Sequence, residues 1–169
     1  MVRGHKNPLY YGLPGRLRRA RREQQLGLLP LSRLAEVSHD TAHCIERGQR
    51  IPRVDLIAKL AQALAVSPAW LAFGESSQQL EASPQRDVDV GKRLHLLRTY
   101  QGLSRMALAA AAGLTGTSIL NIESGRSVPK LDSIEGLAKA LGVSPSWLAF
   151  GVGKEPLGLE QAAGAPDPG

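Results

Sequence analysis

Cysteine is nearly absent from this chain: Cys44 is the only one in 169 residues. A single thiol excludes an internal disulfide framework and points to a reducing compartment. Aromatic residues are also scarce, at 4%, and the apolar set leans on Leu and Ala with few β-branched competitors. Such a composition favours small all-helical units over a sheet. No apolar run approaches the roughly 20 residues that span a bilayer. The N-terminus carries charge but no following apolar segment, so it does not read as a secretory signal. Acids are missing from the first 22 residues, which hold Arg3, Lys6, Arg16, Arg18, Arg19, Arg21 and Arg22 before Glu23 appears. The net charge is +6 and the pI about 9.9, a balance that suits an anionic partner such as nucleic acid. Only the last stretch, 152–169, leans acidic.

What is present is a repeat. Offset by 77 positions, Pro14–Gly74 aligns with Gly91–Gly151 without a gap, and about 25 of the 61 pairs are identical, against roughly 5–10% by chance. Val66 to Gly74 matches Val143 to Gly151 best. Ile45-Glu46-Arg47-Gly48 pairs with Ile122-Glu123-Ser124-Gly125, and Pro52 with Pro129. The expected layout is a flexible basic arm over 1–13, a first domain over 14–74, a polar linker over 75–88, a second domain over 89–151 and a disordered tail over 152–169.

The second copy is the easier to read. Leu94, Leu96 and Leu97 mark a first helix between Val90 and Tyr100. Ser104 is a plausible cap for a second helix through Ala111, with Leu108 inward. Gly113 supplies a turn at positive φ. Thr115 caps a third helix with Ile119 and Ile122 inward, and Gly125 stops it. After Pro129, the residues Leu131, Ile134, Leu137, Ala138 and Leu141 share one face of a fourth helix. Ser144-Pro145 then opens a short fifth helix. The fold class is therefore all-α, with two tandem five-helix units.

A helix, a short turn with glycine and a second helix form the geometry that sets a recognition helix in the major groove. The run from Ser104 to Thr115, with Ile119, Ile122-Glu123-Ser124-Gly125, Pro129 and Leu141-Gly142-Val143, resembles the Cro and lambda-repressor family of helix-turn-helix domains. The resemblance covers both copies. It implies that Arg105, at the start of helix two, faces the DNA backbone or a base edge. It puts Thr115, Gly116, Thr117, Ser118 and Asn121 on the exposed face of the recognition helix, with Arg126 and Lys130 on flanking phosphates. The chemistry agrees: Asn bonds adenine bidentately, Thr touches a thymine methyl, and helix N-termini favour phosphate. Leu120 is unusual at a position where the family shows a polar residue.

The first copy departs from this pattern. Gly27 replaces the capping serine, Leu28 the contact arginine, Glu36 the turn glycine and Ala42 a core isoleucine. Its candidate DNA contacts are Ser38, His39, Thr41 and His43 on helix three, and Arg47, Arg50 and Arg53 in the loop beyond; Asp40 would repel phosphate. The arginines of the first helix suggest a phosphate grip. Two roles stay open for this copy: gripping the backbone with little base readout, or binding a protein. His39 and His43 superficially resemble a zinc motif, but the intervening residue is Asp40 rather than Glu and a third ligand is missing. No metal, cofactor or catalytic function is expected. The leading reading is a cytoplasmic, nucleoid-associated repressor binding double-stranded DNA, with one chain able to occupy two half-sites. A homodimer through the Trp-Phe segments is a further partner it allows. The alternative is an antitoxin-like or adaptor protein with one copy on DNA and the other on a protein.

Overall fold

The computed structural model describes residues 8–75 and 89–153. After a single 3-10 turn, Leu9–Gly12, the first copy contains α1 (Leu13–Glu23), α2 (Leu28–Leu34), α3 (His39–Glu46), α4 (Val54–Ala63) and α5 (Pro68–Phe73). The second contains α6 (Val90–Tyr100), α7 (Arg105–Ala112), α8 (Gly116–Glu123), α9 (Leu131–Leu141) and α10 (Pro145–Phe150). The protein is all-helical among the described residues, apart from one isolated β-bridge. Each copy uses the same packing scheme. The first and third helices meet, the second packs on the third and fourth, and the fifth closes over the fourth and first.

The expected local signals operate at the expected residues in the second copy. Ser104 accepts from the Ala107 amide at 3.0 Å, and Thr115 from the Ser118 amide at 3.1 Å. Each satisfies a helix-start donor that would otherwise be orphaned. Ser144 does the same for α10, with Pro145 in the first turn. On α9, the fully or nearly buried Leu131, Ile134, Leu137, Ala138 and Leu141 form the predicted stripe. Burying one such leucine contributes about 2 kcal/mol. Gly113 sits at φ +69°, and its counterpart Glu36 is forced to φ +51°.

The two copies meet along an approximate dyad, and the contacts across it join equivalent positions. Arg53 and Lys130, 77 apart, form the antiparallel bridge. The Val54 amide donates to the Pro129 carbonyl at 3.1 Å, and the Leu131 amide to the Pro52 carbonyl at 3.1 Å. Exchanging the copies turns one bond into the other. Phe73 and Phe150, again 77 apart, lie with ring centroids 6.3 Å apart where α5 packs on α10. Contacts between like residues are the mark of an isologous, two-fold interface. Here it lies within one chain, where Phe73 and Phe150 meet between the two copies.

The residues before α1 break the symmetry. Leu9–Gly12 is a 3-10 turn and Leu13 is buried at the start of α1, rather than both belonging to a flexible arm. The turn packs on α5 and reaches α9 of the other copy, where the Tyr10 amide donates to Glu135 at 2.8 Å. Burial, chiefly, pushes the Glu135 carboxyl up, against the hydrogen bonds from Tyr10 and Leu9. Glu75 accepts from the Ser144 hydroxyl at 2.7 Å, a second link between the copies. The arm before residue 8, the linker over 76–88 and the tail from residue 154 lie outside the described residues.

Candidate nucleic-acid interface

In the second copy, the expected contact residues gather at one end of α7 and along α8. Arg105 opens α7, with its guanidinium partly exposed and its Nε donating to Glu123 at 2.7 Å. Thr115 and Thr117 are exposed, while Gly116, Ser118 and Asn121 are half-buried. The Thr115 and Ser118 hydroxyls bond each other at 2.8 Å, which holds the cap and the first turn together. Arg126 and Lys130 are exposed in the following loop. Ser118, Asn121, Arg126 and Lys130 line one groove, and Arg53 enters it from the other copy. Leu120 is exposed, as is Met106 beside Gly116. The rim of α8 is therefore more apolar than the family pattern implies.

The first copy offers the equivalent groove, lined by Ser38, Arg50, Arg53 and Lys59. His39, His43, Arg47, Arg50 and Arg53 are exposed. Thr41 is not available in the way expected: it is 5% exposed, with its hydroxyl bonded to that of Ser38. The same hydroxyl pair occurs at Thr115 and Ser118, but α3 starts without the amide cap that accompanies it there. Thr41 therefore supports the helix start and adds only a small, nearly buried part of the groove wall. Lys59 was missed because it lies on α4, one element beyond the helix-turn-helix residues. His39 and His43 find no third ligand; no group of three or more His, Cys, Asp or Glu suited to a metal occurs among the described residues.

In the arginine-rich first helix, Arg16 and Arg21 are tied into the fold, whereas Arg18, Arg19 and Arg22 are exposed. Arg16 donates to the Leu71 carbonyl at 2.9 Å and the Ala72 carbonyl at 2.7 Å. Its equivalent Arg93 donates to Leu148 and Ala149 at 2.9 and 2.8 Å. Each guanidinium thus satisfies carbonyls at the C-terminal end of the fifth helix, where a cation is also favoured. Burial shifts both downward from the ordinary arginine value. Arg21 clasps Glu46 with two bonds, at 2.6 and 3.0 Å, and donates to the Leu26 carbonyl. Arg98 repeats this arrangement on Glu123 and the Leu103 carbonyl. Arg18 bonds the Glu46 carbonyl and Arg19 pairs with Glu23. The usable signal was identity across the repeat: Arg16/Arg93, Arg21/Arg98 and Glu46/Glu123 are unchanged, whereas exposed arginines are not.

Glu123 is the electrostatic centre of the second copy, with its side chain 4% exposed. Burial pushes its carboxyl up, but hydrogen bonds and charge from Arg98 and Arg105 prevail, and the net shift is downward. A buried carboxylate needs such partners to stay ionised. Through it, α6, the last turn of the recognition helix and the first residue of α7 share one anchor. Arg105 is thereby presented in a set orientation.

A helix-turn-helix domain family matches the chain twice, over residues 13–72 and 89–149. The chain belongs to this helix-turn-helix family, in two tandem copies. No curated protein and no solved structure matches it. Membership supports a DNA-binding, regulatory role for the chain. Among the described residues, no helix is long and apolar enough to cross a membrane.

Proposed function

We propose that the protein is a sequence-specific regulator of transcription, acting as a repressor by occupying its operator from the cytoplasm. Bases are read chiefly by α8 through Thr115, Gly116, Thr117, Ser118 and Asn121, with Arg105, Arg126 and Lys130 on the flanking backbone. The carrying observation is the Thr115-capped, polar start of α8 beside a cationic loop, a surface suited to base edges and phosphates together. The first copy reads its own half-site less fully than α8 reads the other, and adds a grip on phosphate. Ser38, His39 and His43 are its base-side groups and Arg47, Arg50 and Arg53 its phosphate groups, while exposed Asp40 opposes the backbone.

Selection of bound duplexes from a random pool by the full chain tests this reading. Asn121→Ala should then lower affinity for the selected sequence about 10-fold and leave random duplex unaffected. Cys44→Ala, at the equivalent position of α3, should change neither. Failure to enrich any sequence would overturn the reading. A second reading, the adaptor with a protein on the first copy, draws on Leu29 and Leu34, which α2 exposes at 42% and 60%. Under that reading, Leu34→Glu abolishes partner capture and leaves DNA affinity intact.

A further inference from the structure

We propose that the Arg53–Lys130 bridge sets the spacing of the two half-sites read by one chain, and that these two cations lie over the operator's centre. The inference rests on the DNA-binding reading above and deepens it. Its starting point is the reciprocity of the Val54–Pro129 and Leu131–Pro52 hydrogen bonds, both 3.1 Å. Each runs from the first residue of α4 or α9 to the proline two residues ahead of the other helix, so the bridge links the starts of two helices with buried faces. The Phe73–Phe150 contact is a second attachment. Two separate contacts, together with the Glu75–Ser144 and Tyr10–Glu135 links, oppose a hinge about either one.

The bridge also lies on the recognition side. Arg53 lines the groove beside α3 and the groove beside α8, so both recognition helices flank it. Arg53 and Lys130 are exposed there, and Arg53 is steadied by Asp55 at 2.8 Å. Duplex DNA docked along a two-fold axis places its centre on that axis, and half-site spacing follows from the protein's geometry. Two cations on the axis suit the phosphates or the minor groove at that centre. Because α3 and α8 carry different side chains, the operator has two unlike halves at one spacing and in one order. A mere tether would accept many spacings, since a connecting segment of 13 residues reaches about 20 Å.

The test starts from the sequence selected by the full chain and changes only its centre, by deleting or inserting one or two base pairs. Each step turns one half-site by about 34° and shifts it by about 3.4 Å. Affinity of the unaltered chain should fall about 10-fold or more at either side of the selected spacing. Equal binding, within about threefold, across all spacings would overturn the proposal while leaving sequence-specific binding intact. Failure of the selection itself would overturn both. Val54→Pro sharpens the result, because Val54 is the first residue of α4 and follows Arg53 at ψ 160°. Proline is at home there, so the change removes the cross-dyad donor while sparing the helix. Combined with Phe150→Ala, and with unchanged helical circular dichroism, it should flatten the spacing preference to within about threefold. Retention of the full preference by that folded variant would count against the bridge. Arg53→Ala with Lys130→Ala should keep the spacing preference and reduce the salt slope by about two. An unchanged slope would remove the two cations from the operator's centre.

Discussion

The two copies have one backbone and two qualities of sequence. At three equivalent positions in left-handed backbone, the second copy has Gly102, Gly113 and Gly142, whereas the first has Gln25, Glu36 and Ala65 at φ +54°, +51° and +51°. A side chain there costs about 1 kcal/mol or more. Ala42 fills the core position of Ile119, and Gly27 and Ser38 start α2 and α3 without the side-chain caps that serve α7 and α8. Yet the buried arginine–glutamate pair and the first-helix arginine that satisfies the end of the fifth helix are the same in both. The contrast teaches that the shared packing and ion centre dictate the backbone, and that the turns comply even when their residues resist.

The largest effect expected is at that shared centre. Glu123→Gln and Glu46→Gln should each lose about 3 kcal/mol in urea unfolding, because each strands a buried guanidinium. Similar losses would support equal reliance of the copies on this pair, and a negligible loss at Glu46 would break the comparison. The lowered Glu123 carboxyl adds a pH signature. Its folded value lies below its ordinary 4.5, so its contribution is present above that value and disappears as pH falls through the lowered one. Acidification from pH 5 should therefore destabilise the parent more than Glu123→Gln.

Exchanging turn residues should give an intermediate effect. Glu36→Gly should stabilise the first copy by about 1 kcal/mol, and Gly113→Ala should destabilise the second by about as much. A Cβ at Gly113 meets nothing within 4 Å, so backbone strain alone is measured. Thermal unfolding that moved in the same direction for both would refute the account.

The smallest effect lies at the caps, and it has a twist. Ser104 accepts from the Ala107 amide, but Pro30 stands at the corresponding place in α2 and has no N–H to give. Gly27→Ser alone should therefore gain only a few tenths of a kcal/mol at most. Together with Pro30→Ala it should recover about 1 kcal/mol. An equal gain from the single change would show that the missing donor is not what keeps the cap silent.

Much of the architecture is legible in the sequence, because its signals are local. Ser104, Thr115 and Ser144 cap the helices predicted for them, Gly113 turns as required, and the stripe on α9 is buried as its spacing implies. In the first copy, Gly27, Glu36 and Ala42 fall at an uncapped helix start, a left-handed turn and a core position. Site residues were harder. Arg16 and Arg21 looked like phosphate contacts because charge is visible in sequence while its partner is not. Thr41 looked exposed from its helical position, but its hydroxyl turns in to Ser38.

By itself, then, the sequence determined that there are two copies, which residues start and stop their helices, and which faces are apolar. These follow from short-range backbone chemistry and a period of 3.6 residues. Only the tertiary structure decided that the copies pair with each other through Arg53–Lys130 and Phe73–Phe150. It alone showed that half the arginine cluster serves the fold, and that the turn at Leu9–Gly12 spans both copies. Those outcomes depend on which surfaces meet across scores of residues, and local pattern carries no information about that meeting.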